Sequence, residues 1–493
     1  MECEPPMTGE KFHALFNARS IAFLGASKDP RKWGFTMLNN VINGGFKGRI
    51  YPVNPNEDEI LGLKVYKSIA DIPEIPDLAV IAVPPMNVLQ VVKECVKRGV
   101  RAGIVITAGF AELGESGARL EQELIEVART GEMVLVGPNC NGIMNPWEKL
   151  YIQFPPFFVP PGPIAVIAQS GNVVDVLARQ IMLRGFGCSI CISSGNEADL
   201  HSEDYLEYLA EDPHTKVILS YIEGFKDGKR FFRVAREVSQ KKPIVMVKAG
   251  RTSAGAKAAL SHTASIAGAD AVFEAVCKQS GMVRAKSLDD LLNVGIAFLR
   301  QPLPKGMRVG IVTAGGGAGV LAADACAELG LEVVSLPKVT IKELDSFMPA
   351  WWNRNNPVDL VAGGSTDTSF KAVETVLRCP SVDGVIMMSI MPALRLERLS
   401  ASADEADRQR WANNLVRAVV SVIERFTNLA DRYQKPVIVA SEQMFADAIQ
   451  ETKIIYALGR QNLMCYHMPH QAAVVLSGLA SYREYLERYG KHE

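Results

Sequence analysis

Short apolar runs ending on glycine or another small residue alternate along the chain with amphipathic stretches of helical period. That alternation predicts parallel strands joined by crossover helices, an α/β chain throughout. The first unit is "SIAFLGAS", followed by a helix predicted from Trp33 to Ile42, a stop at Gly44 and Gly45, and a second strand in "GRIYPVNP". Further strands are predicted in "LAVIAVPP", "AGIVITAG" and "MVLVGPN". The proline-crowded "YIQFPPFFVPPGP" suits neither a helix nor a central strand and reads as a linker, with a boundary near residue 150. Strands in "PIAVIAQ", "CSICISS", "KVILSYIEG" and "PIVMVKAG" then alternate with helices to about residue 300, where "RQPLPKGM" punctuates the chain again. A third unit opens with "RVGIVTAGGGAGVLAADACAELGLEVVSL" and continues through "GVIMMSIMP" and "PVIVASEQ". The expected architecture is three successive parallel-sheet domains over residues 8–147, 160–300 and 305–488. Their opening turns differ, so the recurrence is one of architecture and not of sequence.

A length of 493 residues agrees with that division, being too great for a single hydrophobic core. The net charge of -1 gives no reason to expect a nucleic-acid or membrane surface, so an anionic ligand has to be met by local groups. No apolar run reaches the ~18 residues of a membrane span, and "MECEPPMTGEKF" lacks the features of a signal peptide. A cytoplasmic protein is expected. The nine scattered cysteines fit reduced thiols. Cys188 and Cys191 lie in a predicted strand, where positions i and i+3 point to opposite faces, so they read as structural. Cys140 has no nearby base and reads as a small buried thiol. Pro469 interrupts the "HMPH" run, and no metal site is expected.

Three turns have the sequence of anion sites. In "FLGASKDPRKWG" a strand meets small residues and then a helix, which leaves backbone N–H groups and a positive helix end facing outward. The spacing is not G-x-G-x-x-G, and Asn54 and Pro55 stand where a dinucleotide site wants an acid, so plain NAD binding is disfavoured. Lys28, Arg31 and Lys32 together favour a ligand with extra phosphate charge, such as coenzyme A, although each taken singly reads more readily as a solvated surface charge. "AQSGNVV", around Ser170 to Asn172, and "TAGGGAGV", around Gly315 to Gly319, repeat the strand–small turn–helix logic.

The loop "KAGRTSAGAKAALSHTAS" surrounds His262 with the smallest side chains. A neutral imidazole is a nucleophile, and a phosphoryl group on it needs positive dipoles around about two negative charges. Two helix N-termini are suited to supply them, with Glu223 of "YIEGFKDG" accepting the second ring N–H.

On these residues the chain resembles the α subunits of ADP-forming acetate–CoA ligases, in the NDP-forming acyl-CoA synthetase superfamily that includes succinyl-CoA synthetase. The resemblance runs from about residue 8 to residue 480 and rests on "LGASKDP", "GPNCNGIMNP", "QSGNVVD", "SGNEADL", "YIEGFKDG", the histidine loop and "NNPVDL" in this order. It implies a Rossmann-like CoA-binding domain followed by two flavodoxin-like domains. It also implies phosphorylation of His262 during turnover, with Glu223 stabilising the phosphohistidine. Ser170, Gly171 and Asn172 are then the start of one phosphate-facing helix, and Gly315, Gly316 and Gly317 the start of the other. Gly25, Ala26, Ser27 and Lys28 form the CoA turn, with Asn54, Pro84 and Asn139 also placed at the cofactor. Family members commonly carry glycine where Ala264 stands; a positive φ there would strain the loop by about 1 kcal/mol. No nucleotide-grasping domain is seen, so ADP or ATP, with Mg2+, is expected on a separate ATP-grasp β subunit in a hetero-oligomer such as α2β2. Phosphate and a small carboxylic acid or its acyl-CoA complete the substrates. The alternative is a CoA-binding regulatory protein that kept the fold and lost the chemistry.

Overall fold

The computed structural model describes residues 9–255, 257, 270–361, 365–388, 404–441 and 448–489. Contacts within the chain divide it into two compact units, residues 1–180 with 187–280, and residues 181–186 with 281–493.

The first unit begins with helix α1 (Gly9–Phe16). Strands β1 (Ser20–Leu24) and β2 (Arg49–Val53) flank helix α2 (Trp33–Asn43). A small hairpin, β3 (Glu59–Ile60) and β4 (Leu63–Lys64), precedes β5 (Leu78–Ile81), helix α3 (Pro85–Arg98), β6 (Ala102–Val105), helix α4 (Glu115–Thr130) and β7 (Val134–Val136). The five main strands form one parallel sheet in the order β2-β1-β5-β6-β7. Their continuous apolar sequence is required because helices cover both faces. Proline at the first position of α3 and left-handed Gly99 at its end are the start and stop signals expected of such a helix.

The second sheet of this unit has the order β13-β12-β10-β11-β8-β9. Strands β10 (Pro161–Ala168), β11 (Cys188–Ser193), β12 (Val217–Ile222) and β13 (Ile244–Lys248) are parallel. Helices α5 (Gly171–Leu183), α6 (Ser202–Glu211) and α7 (Gly228–Ser239) connect them, and Asp227 caps α7 by accepting from the N–H groups of Lys229 and Arg230 at 2.9 and 3.0 Å. The linker reading of residues 151–163 needs correction here. Tyr151 and Ile152 lie in β9 (Leu150–Ile152), which pairs antiparallel with β8 (Ile143–Asn145), and β8 pairs with β11. Pro161 and Pro163 sit at the start of β10, the position in a strand where a missing N–H costs least. Asn40 of α2 fastens the segment between them, donating to the carbonyl oxygens of Gln153, Phe154 and Pro155 at 2.8, 3.2 and 3.3 Å.

A second correction concerns Cys188 and Cys191. Ile164 pairs with Cys188 and Val166 with Cys191, so three steps of β11 match two of β10. The irregularity breaks strand alternation and brings the two thiols together. Cys191 is pushed well up, first by its hydrogen bond with Cys188 and then by burial, and both thiols are free and buried.

The second unit contains β14 (Val283–Arg284), β15 (Arg308–Thr313), β16 (Glu332–Val333), β17 (Val358–Asp359), β18 (Gly384–Met388) and β19 (Val437–Ala440). Its parallel sheet has the order β16-β15-β18-β19, with β17 also paired to β15. Buried Asn356, in "NNPVDL", staples it. Its side-chain oxygen accepts from the Ile311 N–H, and its amide donates to the carbonyls of Val309 and Val334, all at 2.8 Å. Asn356→Ala strands all three backbone groups away from water, and thermal or urea melting is expected to show a loss of about 2–4 kcal/mol.

Candidate functional site

The first turn is built by close backbone approach. Gly25 has φ +93°, and a Cβ there would meet the Ala82 carbonyl oxygen at 2.4 Å. Gly34, in the first turn of α2, lies so near that a Cβ would sit 2.1 Å from the Gly25 oxygen. The start of α2 carries no side-chain cap, which leaves its N–H groups to a ligand. Ala26 and Ser27 are buried, and the Ser27 hydroxyl accepts from the Asp29 N–H at 3.1 Å. Asn54 is occupied as a strut: its amide donates to the Ala26 carbonyl at 2.7 Å and its oxygen accepts from Asn56 N–H at 2.9 Å. Lys28 pairs with Glu57 at 2.8 Å and is held above its ordinary range by that carboxylate. Arg31 pairs with Asp29 at 2.9 Å, so both cations are exposed but already neutralised within the turn.

Pro84 caps the start of α3, and the Thr107 hydroxyl donates to the neighbouring Val83 carbonyl at 2.6 Å. Asn139 adopts φ +58°, a conformation asparagine tolerates well, and its N–H donates to the Thr107 carbonyl at 3.0 Å. Thr107 thus ties the two loops together. Cys140 is fully buried, bonds to the Val105 carbonyl at 3.4 Å and is pushed up to about 12 by desolvation, which removes it as a nucleophile.

The second turn lies in the same unit. Ser170 precedes α5, Gly171 opens it, and Asn172 is exposed. A side chain at Gly171 would have to displace the Asn141 carboxamide, since a Cβ would meet Asn141 Cγ at 2.2 Å. Asn141 is fixed by Ser193, whose hydroxyl accepts its N–H at 2.9 Å, and by Asp175, which accepts its amide at 2.9 Å. The other Asp175 oxygen is buried with no hydrogen-bond partner, and burial raises this carboxyl to about 6.

Glu223 is buried at the end of β12. The Gln169 side-chain oxygen accepts from the Glu223 and Gly224 N–H groups at 2.6 and 3.2 Å, and its amide donates to the Gly224 carbonyl at 2.8 Å. Gln169 therefore binds the residue before Ser170 to the segment carrying Glu223. The Tyr221 phenol is raised by burial and then by the neighbouring Glu223 carboxylate.

In the second unit, Gly315 caps the helix Gly316–Glu328 without a side-chain acceptor, and its N–H meets the Thr313 hydroxyl at 3.1 Å. Among the described residues nothing lies within 4 Å of a Cβ built on Gly315 or Gly317, and one on Gly316 would meet an Asp359 carboxylate oxygen at 3.1 Å. His262 and Ala264 lie outside the described residues. Sequence reasoning missed Asn141, Asp175, Gln169 and Glu197. A carboxylate inside a small-residue run, as Glu197 is in "SGNEADL", was the available signal.

The ionisation of Asp175 gives a pH test. Its carboxyl holds a proton more tightly folded than unfolded, so native stability falls as pH rises from the ordinary 3.8 to about 6. Asp175→Asn is expected to flatten that slope and to exceed the parent by about 2–3 kcal/mol at pH 8, read from urea midpoints.

Comparison with known proteins agrees with this layout. Residues 19–146 match the CoA binding domain, residues 161–298 the succinyl-CoA ligase like flavodoxin domain, and residues 309–442 the ligase-CoA domain. The acetate–CoA ligase [ADP-forming] II subunit alpha of Pyrococcus furiosus is 43% identical over 378 residues, covering 77% of this chain and 82% of that protein. The corresponding I subunit alpha of the same organism is 38% identical over 483 residues, 97% of this chain and 98% of that one. Among solved structures, the dinucleotide forming acetyl-coenzyme A synthetase 1 of Ca. Korarchaeum cryptofilum, in complex with phosphate and ADP, superposes with a TM-score of 0.82 at 35% identity, covering 97% and 99% of the two chains. The chain belongs to the ADP-forming acetate–CoA ligase family of acyl-CoA synthetases.

Proposed function

We propose that the chain is the catalytic α subunit of an ADP-forming acyl-CoA synthetase working through a phosphohistidine on His262. The observation that carries the reading is the fastening of Gln169 to Glu223 and Gly224 at 2.6–3.2 Å, which sets buried Glu223 beside the start of α5. An imidazole entering that locus finds an acceptor for one ring N–H in Glu223, while the Ser170–Asn172 amides face phosphate charge on its other nitrogen. The Gly315–Gly317 helix start of the second unit is assigned to phosphate as well.

Three balanced steps follow. Phosphate attacks the acyl-CoA carbonyl, the C–S bond breaks, and acyl phosphate and CoA thiol result. The His262 nitrogen then attacks phosphorus and releases the carboxylic acid. Finally an ADP oxygen takes the phosphoryl group, giving ATP and regenerating the imidazole. Phosphoryl transfer needs positioning and charge stabilisation more than a strong base, in keeping with a histidine surrounded by small residues. A loop that carries phosphate between two sites has little side chain to unpack when it consists of glycine, alanine and serine.

CoA is assigned to the Gly25–Lys28 turn with Asn54 as its support and Pro84 and Asn139 beside it. ADP or ATP, with Mg2+, is assigned to an ATP-grasp β subunit, in an assembly such as α2β2. Among the described residues no helix is long and apolar enough to cross a membrane, and none form a His/Cys/Asp/Glu group able to hold a metal ion. The reading places the enzyme in the cytoplasm, where CoA, ADP and phosphate are supplied.

With the ATP-grasp subunit present, radiolabelled phosphate plus acetyl-CoA is expected to leave acid-labile label on the wild-type chain. His262→Ala should lose both that label and acyl-CoA-dependent ATP formation, to background, while its CoA affinity stays within about twofold. A wild-type chain that binds CoA and acquires no label is a regulator and not an enzyme.

A further inference from the structure

We infer that Glu197 and Gln169 are a positioning pair that fixes the orientation of the Gln169 carboxamide and, through it, the place of Glu223; the inference rests on the phosphohistidine role proposed for Glu223. Glu197 is buried and adopts φ 51°, an uncommon conformation for glutamate held by the loop around it. One of its oxygens accepts from the hydroxyls of Ser194 and Ser202 at 2.7 and 2.5 Å. The other accepts from the Gln169 amide at 2.9 Å.

A carboxylate can only accept, so it selects which end of the carboxamide faces it. With one amide hydrogen on Glu197 and the second on the Gly224 carbonyl at 2.8 Å, the Gln169 oxygen is left pointing at the N–H groups of Glu223 and Gly224. Rotated by half a turn, the same side chain would set its NH2 group against those two N–H groups. It would also set the Gln169 oxygen against the Gly224 carbonyl and the Glu197 oxygen, with no donor left for the carbonyl, which disfavours that arrangement.

The loop bearing Glu197 is itself anchored to the segment that carries Asn139. Asn196, Ala198 and Leu200 donate their N–H groups to the carbonyls of Pro138, Gly137 and Leu135 at 3.0, 3.1 and 3.4 Å. The Asn196 amide reaches Glu112 and Glu121 at 2.6 and 2.9 Å, and Asp199 accepts the Leu135 N–H at 2.9 Å. Glu197 is therefore referenced to the first sheet and Gln169 to the second.

The test uses the full chain with its ATP-grasp subunit and three variants, Gln169→Glu, Glu197→Gln and the double substitution. Gln169→Glu sets a second carboxylate against Glu197 and the Gly224 carbonyl, with no donor for either. The rate of acid-labile labelling from phosphate and acetyl-CoA is expected to fall about 10²-fold, with KM for acetyl-CoA unchanged. In the double variant the new amide at 197 donates to the new carboxylate at 169, which still accepts from Glu223 and Gly224. At least about tenfold of the lost rate should return, whereas a merely structural role predicts added losses. Wild-type labelling in Gln169→Glu overturns the inference, as does a double variant no faster than Gln169→Glu. Should Gln169→Glu fail to fold, Glu197→Gln serves alone: a lower labelling rate at unchanged acetyl-CoA KM supports the pair, and an unchanged rate overturns it. The arms separate the two proposals, because absence of label on the wild type sinks the phosphohistidine reading, whereas a labelled wild type with an equally labelled Gln169→Glu sinks only the pair.

Discussion

At the carboxyl end of a parallel strand the chain turns directly into a helix whose first amides have no partner within it. Everything of functional interest in the described residues follows from how those amides are left available. At α5 the turn is Ser170 and Gly171, with the Asn141 carboxamide where a Cβ would lie, and at α2 the longer Gly25–Lys32 turn, with Gly25 and Gly34 in close backbone approach, leaves the helix start without a side-chain cap. Gly34 resting on Gly25, and Asn141 resting on Gly171, are the same solution reached with different atoms. The helix starting at Gly316 reaches an equally bare N-terminus by a different route, with open space around Gly315 and Gly317 among the described residues.

Charge is handled with the same economy. A chain of net charge -1 cannot draw anions by its overall field, so the positive ends of helices and a few local cations must serve. At the first turn those cations already have carboxylate partners, in Lys28 with Glu57 and Arg31 with Asp29. Near the second turn the titratable groups are acids, Glu197 and Glu223 buried and Asp175 half-buried. Burial raises Asp175 and Glu197, while hydrogen bonds from Asn141 to the first, and from Ser202, Gln169 and Ser194 to the second, pull them back down. A site made this way is organised by donors to carboxylates more than by opposite charges.

The main parallel strands β1, β5, β6, β7, β10–β13, β15, β18 and β19 fall within the apolar runs, because burial on both faces writes itself into consecutive residues. The proline-rich segment after residue 150 misled, since proline content does not distinguish a linker from an edge hairpin leading into a strand whose first residues are proline and glycine. Cys188 and Cys191 misled for a related reason: alternation assumes an unbroken ladder, and the irregular pairing with β10 broke it.

The sequence by itself determined the α/β class, the three successive sheet-building segments, the small-residue turns that end particular strands, and the family. These depend on local periodicity, on the absence of bulk at a turn, and on an ordered set of motifs. Tertiary structure alone decided that Asn141 fills the space above Gly171, that Asn54 is a strut, and that Gln169 and Glu197 share one hydrogen bond, 28 residues apart in the chain. Polar side chains carry no period, and a glutamine or glutamate reads as a surface residue until folding removes water from around it. Its partner is then whichever donor or acceptor the packing of distant strands has brought within about 3 Å, a distance that no local pattern encodes.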